Sequence, residues 1–376
     1  MRTDLYPFEA ALCRLVRIDR TPPAPVSSQE WQAVLWLAIR EQVAPLVYSA
    51  LDALPDGQVP DAVQTALALS YQHAAAETAE AYAQLAGVLR TLRSAGLTAV
   101  ALKGSALARF TYQDAAFRPF TDLDLLVRLE DVEAAHRALC GAGYAILGDA
   151  PTAEDLTWRH GRGYYDPMRR RIPVDVHWRY AGYPLLAGID YGDVLARARA
   201  VPIEDEQALI PSPPDMLVAL GVHFQRDLWY GKPRLRYLRD IAEVAHRHAV
   251  DWQHLLRVAC DVPLVRSPLY LALAAAAELL GASIPADTLR ALRPPGRGAL
   301  VRYLQARVCR NVLRQERPID AVFQIVLMRW LDADSLAGYL RWISALVFVP
   351  RGLAASRRRW LGHLWERRPS GDSPDG

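Results

Sequence analysis

Hydrophobic and polar positions in the first quarter of the chain repeat with the period of an α-helix. Ser27 and Glu30 have the spacing of a capping box, and an apolar face follows at i, i+3, i+4 and i+7: Trp31, Val34, Leu35 and Ala38. After a break at residues 54–57, an alanine-rich stretch over 61–94 predicts one long helix, and Gly96 suits a left-handed cap at its end. We therefore predict an N-terminal helical region over residues 1–96, whose long helix packs across a following sheet.

From residue 97 the pattern changes to short apolar runs between helical segments. Strands are predicted at 98–102, 121–127, 144–147, 163–165 and 172–178, with helices at 131–140 and 152–159. The helical period returns from residue 211, with a helix beginning at Pro213 and others predicted at 234–248, 252–260, 269–280, 300–313 and 321–330. The predicted fold class is α+β, with a small mixed-sheet core at 97–210, a C-terminal helical domain at 211–350, and a basic amphipathic tail with a disordered end at 351–376.

Composition adds limits on location and partners. Of 376 residues, 52% are hydrophobic and 23% charged, as in ordinary globular proteins, and a net charge of +3 is too mild to indicate nucleic-acid binding by itself. The first 20 residues lack the apolar core of a signal peptide, and the apolar stretch at 335–349 is too short and too interrupted by Arg341 to span a bilayer. Four scattered cysteines without CxxC spacing predict buried thiols in a reducing compartment, so we expect a cytoplasmic protein: Cys13, Cys140, Cys260 and Cys309.

Candidate chemistry centres on residues 99–127. Asp122 and Asp124 alternate along a predicted strand, so their side chains point to the same side. Two adjacent buried carboxylates raise each other's pKa, and a divalent cation removes that conflict. The pattern therefore predicts a Mg²⁺ or Mn²⁺ site of hard oxygen ligands, and such sites usually handle phosphates.

A third carboxylate, Asp175, stands among apolar neighbours in the predicted strand 172–178. If that strand lies beside the strand of Asp122 and Asp124, Asp175 becomes a third ligand of the same site. His177 shares the face of Asp175 two residues on. This histidine is either a substrate contact or a packed, hydrogen-bonded side chain.

A Lys103-Gly104-Ser105 turn precedes a predicted helix and is a candidate phosphate cradle. Backbone N–H groups at a helix start bind anions, and the Ser105 hydroxyl would add a donor. Lys103 and Arg118 are cations within reach of phosphate oxygens. Two alternatives stay open, because Gly104 can be a simple turn residue and Arg118 can pair with Asp114 or with an aspartate of the site.

Roles for residues further along the chain are less defined. His223 and Asp240 lie on helices predicted to face the cleft, and Lys232 either reaches a phosphate or is solvated. In the tail, arginines alternate with Trp360 and Trp365. Such a helix could make peripheral contact with an anionic membrane or an acidic partner, or could dock on the protein through its tryptophans.

These motifs carry a resemblance to a known family. Gly-Ser, a helix, Asp-Leu-Asp and a later strand aspartate resemble the DNA polymerase β-type nucleotidyltransferase superfamily. More narrowly, the region from about 97 to 249 resembles a family of uncharacterised bacterial nucleotidyltransferases, in Leu102 to Ser105, Tyr112, Arg118, and the runs 122–127, 174–178 and 234–240. Members often occur with genes for modified peptides such as lasso peptides, or for capsules and polysaccharides, which implies a small-molecule, peptide or glycan acceptor.

The resemblance implies transfer of a nucleoside monophosphate, expected to be AMP from ATP, to a hydroxyl-type acceptor with release of pyrophosphate. Catalytic and metal-binding roles then fall to Asp122, Asp124 and Asp175, and nucleotide binding to Lys103, Gly104, Ser105, Arg118 and His177. Two other interpretations remain. One is a catalytically silent accessory protein that binds a nucleotide or peptide. The other is a toxin-like tRNA nucleotidyltransferase, which should carry a broad basic face near its cleft, whereas only the tail here is strongly basic.

Overall fold

The computed structural model describes residues 5–19, 26–168, 170–180, 189–229, 233–262, 265–295 and 298–314. The predicted α+β fold class is confirmed, because helices flank a seven-stranded mixed sheet. The strands are β1 (Val100–Ala101), β2 (Leu123–Leu126), β3 (Ala145–Ile146), β4 (Gly161–Tyr165), β5 (Val174–His177), β6 (Arg199–Ile203) and β7 (Glu206–Ile210). Lys232, the helix predicted at 321–330, the apolar stretch 335–349 and the tail lie outside the described residues.

Helices make up most of the remaining described elements. They are α1 (Pro7–Leu15), α2 (Ser28–Arg40), α3 (Ala44–Ala50), α4 (Asp61–Ser94), α5 (Lys103–Phe110), α6 (Val132–Gly141), α7 (Ala153–Trp158), α8 (Tyr191–Ala196), α9 (Pro213–Trp229), α10 (Leu235–Arg247), α11 (Trp252–Asp261), α12 (Arg266–Leu280), α13 (Ala286–Leu292) and α14 (Gly298–Arg314). Short 3₁₀ turns lie at Leu51–Ala53, Ala115–Phe117 and Leu129–Asp131. None of these helices has the length and apolarity needed to cross a membrane.

Local sequence chemistry explains the N-terminal helices. At the start of α2, the Ser27 hydroxyl accepts a hydrogen bond from the Glu30 backbone N–H, and the Glu30 carboxylate accepts one from the Ser27 N–H at 2.8 Å. The long helix α4 covers the predicted range 61–94, and Gly96 beyond it has a left-handed φ of +76°. Both sequence signals are therefore confirmed.

The strand order in the sheet is β3-β4-β5-β2-β1-β7-β6. Strand β2 pairs in parallel with β5 and antiparallel with β1, which places it at the centre of the sheet. The hairpin of β6 and β7 is not predicted by the sequence pattern. Its two-residue turn is Glu204-Asp205, with Glu204 at a φ of +48°, and lacks the glycine or asparagine that usually marks such a turn.

Helix α4 packs on the sheet, as the sequence predicts. Its Tyr82 hydroxyl donates to the carbonyl of Ser105 at 2.9 Å, and its Gln84 side chain donates to the carbonyl of Ile172 at 2.8 Å. Further along, Arg90 pairs with Glu206 at the start of β7. The helix thus contacts the first turn of α5, the segment before β5 and the first residue of β7.

One continuous apolar core joins the N-terminal helices, the sheet and helices α9 to α14. Within it, α9 packs against α10 and α12, and also against α5. Cys13 and Cys309 are buried as predicted, whereas Cys140 and Cys260 are exposed. The prediction of four buried thiols is wrong for these two, because Cys140 and Cys260 stand near the solvent-facing ends of α6 and α11.

Candidate functional site

Two parallel strands bring the predicted carboxylates together. In the register of β2 and β5, Asp124 is paired directly with Asp175, and Leu126 with His177. Side chains alternate along a strand, so Asp124 and Asp175 share one face while Leu123 and Leu125 are buried on the other. Asp122, one residue before β2, is half-buried and lines the same cavity. The structure thus brings all three predicted carboxylates to one site.

Asp124 is the most enclosed of the three, with 3% of its surface exposed. One of its oxygens, Oδ1, lies 2.6 Å from Lys103 Nζ and 2.6 Å from His177 Nε2. Burial opposes ionisation, but Lys103 and His177 together hold the pKa of Asp124 well below its usual range. Asp124 is therefore an ionised buried carboxylate with two nitrogen partners.

The other two carboxylates experience the opposite shift. Burial, and then repulsion from Asp124, raises the pKa of Asp122 to about 6, against the opposing charges of Lys103 and Arg236. Burial and Asp124 also raise the pKa of Asp175, where Lys103 and Arg226 are among the groups acting in the opposite direction. Burial and the charge of Asp124 thus both oppose ionisation of Asp122 and Asp175.

The donor set fits a divalent cation. Ligand atoms of Asp124, Asp175 and His177 all lie within 4.8 Å of one another. Asp122 adds a carboxylate on the same cavity wall. A cation here would relieve the repulsion that contributes to the raised pKa values of Asp122 and Asp175, and carboxylate oxygens are ligands that suit Mg²⁺ and Mn²⁺.

Strand β4 keeps the face above these carboxylates open. Its Gly161 and Gly163 pair with His177 and Asp175 respectively. A Cβ at Gly161 would lie 2.9 Å from His177 Nδ1, and a Cβ at Gly163 would lie 2.9 Å from Asp175 Oδ1. Sequence reasoning missed this role, although a Gly-x-Gly spacing within a strand is a signal of close approach.

The Lys103-Gly104-Ser105 turn forms the first residues of α5, with Lys103 at a left-handed φ of +49°. Lys103 and Gly104 line the cavity. The Ser105 side chain points elsewhere, since it is fully buried and donates to the carbonyl of Leu102 at 3.0 Å. Gly104 is required by packing, because a Cβ there would lie 2.5 Å from Cβ of Phe120.

Arg118 lines the cavity, but its guanidinium is paired with another side chain. Its Nε and Nη2 donate to the two oxygens of Asp240 at 2.6 and 2.8 Å, and Asp240 also accepts from the Tyr112 hydroxyl at 2.8 Å. Arg118 has 3% of its surface exposed, and Asp240 has none. The interpretation that Arg118 pairs with Asp114 or with an aspartate of the site is wrong, since its partner is Asp240 and Asp114 accepts from the Tyr71 hydroxyl.

The cavity between the sheet and the C-terminal helices measures about 470 Å³. Helices α9 and α10 form its far wall, with His223 as predicted and four residues that sequence reasoning did not assign to the site: Arg226, Asp227, Arg236 and Tyr237. Burial lowers the pKa of His223 well below its ordinary value, so this histidine is neutral. The predicted cleft residue Asp240 lies behind this wall, bound to Arg118.

His160 and Arg162 complete the cavity at the β4 side, and neither was singled out from the sequence. The His160 ring stacks on His177 with centroids 5.5 Å apart, and burial lowers the pKa of His160 to about 3. Arg162 pairs with Asp155 at 2.8 Å. The cavity therefore combines carboxylates, neutral imidazoles and cations, a composition suited to a charged phosphate ester with a metal ion.

Comparison with known proteins agrees with this composition. No protein of curated function matches the chain. The model of one family, described as uncharacterised nucleotidyltransferase, matches residues 27–281, which include the sheet, the three carboxylates and both helices of the far wall. Since that match covers more than half of the chain, the protein belongs to this family of uncharacterised nucleotidyltransferases.

Proposed function

We propose that the protein transfers a nucleoside monophosphate, AMP from ATP in the first instance, to a hydroxyl-type acceptor and releases pyrophosphate. The observation that carries this proposal is the pairing of Asp124 with Asp175 on parallel strands, beside Asp122, in an open cavity. Membership of a nucleotidyltransferase family supports the reaction type. The Gly-Ser turn, the Asp-Leu-Asp motif and the later strand aspartate support placement in the DNA polymerase β-type superfamily.

Asp122, Asp124 and Asp175 would hold Mg²⁺ or Mn²⁺, with His177 within reach of the same ion. When bound, such ions neutralise phosphate charge and polarise the attacked phosphorus. Asp175 has a raised pKa and is the candidate acceptor of the hydroxyl proton. The acceptor oxygen forms a bond to the α-phosphorus as the bond from that phosphorus to the β-phosphate oxygen breaks.

Lys103 and the N–H groups at the start of α5 would bind phosphate oxygens, since Lys103 and Gly104 line the cavity. For Ser105, the backbone N–H is the candidate donor, because its hydroxyl is engaged with Leu102. Arg118 contributes positive charge at the cavity wall while Asp240 fixes its orientation. His177 would act through Asp124 and through the metal.

The acceptor we propose is a small molecule, peptide or glycan, as in natural-product tailoring, and we place the reaction in the cytoplasm. Among the described residues, the cavity walls carry six basic side chains against four carboxylates, and four of the cations are already in ion pairs. That balance suits a triphosphate better than a long nucleic-acid backbone. We therefore propose a small acceptor rather than tRNA.

The test is calorimetric titration of ATP and of GTP into the protein with Mg²⁺ or Mn²⁺, repeated with EDTA and with the Asp122→Ala/Asp124→Ala variant. Metal-dependent binding that is lost in the variant supports the proposal and justifies an acceptor screen by pyrophosphate release. Stimulation of that release by tRNA alone would favour the toxin-like alternative. Absence of binding by any triphosphate would overturn the enzyme proposal and leave the accessory protein.

A further inference from the structure

Six basic side chains line the cavity, and they differ in how their charge is balanced. Four pair with carboxylates: Lys103 with Asp124, Arg118 with Asp240, Arg162 with Asp155 and Arg226 with Asp227. The other two, Arg234 and Arg236, have no carboxylate partner among the residues that the structure describes. An enclosed cation without an anion is costly, so such a position indicates that an anion binds there.

Arg236 has the least compensated charge of the two. Its guanidinium donates to the carbonyl of Pro119 at 3.2 Å and lies 3.5 Å from the hydroxyl of Tyr237. Its Nε is fully buried and has no hydrogen-bond partner in the described part of the chain. Burial, and then the neighbouring charge of Arg118, lowers the pKa of Arg236. By contrast, Arg234 donates to the carbonyl of Arg40 and lies close to the acidic Glu41.

The position of Arg236 is linked to the Lys103-Gly104-Ser105 turn. Pro119, its acceptor, directly precedes Phe120, and Cβ of Phe120 closes over Gly104 at the start of α5. Arg236 therefore holds the segment that covers this turn, with part of its own side chain exposed to the cavity.

Arg236 and Asp175 belong to different parts of the cavity lining. The Arg236 guanidinium donates to the carbonyl of Pro119, in the segment that covers the start of α5, whereas Asp175 lies on β5. With the α-phosphorus and the acceptor hydroxyl at Asp175, the remainder of the triphosphate would extend toward the start of α5 and Arg236.

We propose that Arg236 binds the β- and γ-phosphates of the nucleoside triphosphate, the part that leaves as pyrophosphate. This inference rests on the proposed function. A guanidinium presents parallel N–H donors that match phosphate oxygens, and the Arg236 side chain lines the cavity. As the bond between the α-phosphorus and the bridging oxygen breaks, both bonding electrons stay with the pyrophosphate, and Arg236 stabilises the negative charge that develops there.

The experiment compares Arg236→Gln with Arg247→Gln, an arginine at the end of the same helix α10 that pairs with Glu243 at 2.6 Å and does not line the cavity. Binding of ATP, AMP and inorganic tripolyphosphate is measured by calorimetry with Mg²⁺. Arg236→Gln is expected to weaken the binding of ATP and tripolyphosphate by about 10- to 100-fold and to change the affinity for AMP by less than about twofold. Arg247→Gln is expected to change the affinity for each ligand by less than about threefold, and the affinities of Arg236→Lys are expected to lie between those of wild type and Arg236→Gln.

Thermal unfolding without nucleotide separates a binding role from a structural one. If Arg236 serves to bind an anion, Arg236→Gln melts at the wild-type temperature or above, because an uncompensated charge has been removed. A melting temperature below wild type together with equal weakening of ATP and AMP binding would overturn the inference, and so would an unchanged affinity for tripolyphosphate. If wild type binds no triphosphate, the proposed function is overturned as well. If wild type binds ATP and Arg236→Gln binds it equally well, this inference alone is overturned.

Discussion

Asp124 and Asp175 are direct cross-strand partners in the parallel pair β2 and β5. Parallel partners point their side chains to the same face, so the two carboxylates lie side by side on the sheet. Their repulsion contributes to the raised pKa of Asp175, and Lys103 and His177 partly balance it at Asp124. Any change at Asp124 should therefore alter the ionisation of Asp175.

Asp124→Asn is expected to abolish stabilisation of the protein by Mn²⁺. In wild type, Mn²⁺ at about a hundred times its dissociation constant should stabilise the fold by about 2.7 kcal/mol, observed as a rise in melting temperature. The variant should show no rise over the same concentrations. Asp205→Asn, which changes an exposed aspartate in the β6–β7 turn, serves as the control and should respond like wild type. A full Mn²⁺ response in Asp124→Asn would contradict the metal assignment.

The buried pair of Arg118 and Asp240 should be a major contributor to stability. Removing one partner leaves a buried charge alone, so Arg118→Met or Asp240→Leu is expected to cost about 3–5 kcal/mol in the free energy of unfolding. The double variant should recover a large part of that loss, because neither charge remains. Denaturant unfolding of the four proteins measures the coupling, and additive losses would show that the pair does not act as a unit.

Gly104→Ala is expected to destabilise the protein by about 1–3 kcal/mol, because the new methyl group meets Phe120 at 2.5 Å. Movement of Phe120 should also weaken ATP binding. Gly87→Ala, inside α4, is the matched control, since nothing lies within 4 Å of the added carbon. That control should stabilise the helix by about 0.5–1 kcal/mol. Equal effects of the two changes on stability would refute the close approach at Gly104.

Lowering the pH should reduce the stability of the protein through the buried His223. Its pKa in the folded protein lies well below 6.5, so the unfolded chain takes up its proton first as the pH falls. The stability contributed by the neutral form is complete above pH 6.5 and declines below it. Between pH 7.5 and 5.5, wild type should lose about 1 kcal/mol more than His223→Gln, in denaturant unfolding at both pH values. Parallel losses in the two proteins would indicate that His223 is protonated in the fold.

Sequence periodicity was enough to predict α4, the strands of Asp124 and Asp175, and their shared face. It could not supply register, which places Asp124 rather than Asp122 opposite Asp175. Nor could it find the partner of Arg118, because Asp240 lies 122 positions away in the chain. Such pairings depend on how distant segments dock, and no local pattern encodes that.

The residues of the far wall could not be predicted from the sequence for a different reason. In α10 the apolar stripe is visible in the sequence, but a polar residue such as Arg236 looks the same whether it faces water or a cavity. Ser105 illustrates the reverse case. A hydroxyl at a helix start suggests a phosphate donor, whereas here a backbone carbonyl already occupies it.

Helix α4 also connects two parts of the site. Its Tyr82 hydroxyl donates to the carbonyl of Ser105, and Gln84, two residues along, bonds to the backbone of Ile172 just before β5. The Lys103-Gly104-Ser105 turn and the strand of Asp175 are therefore bonded to neighbouring positions on one 34-residue helix. Helix α10 is joined to the same core by the buried Arg118–Asp240 pair, so α4 and this pair preorganise the cavity in the absence of a ligand.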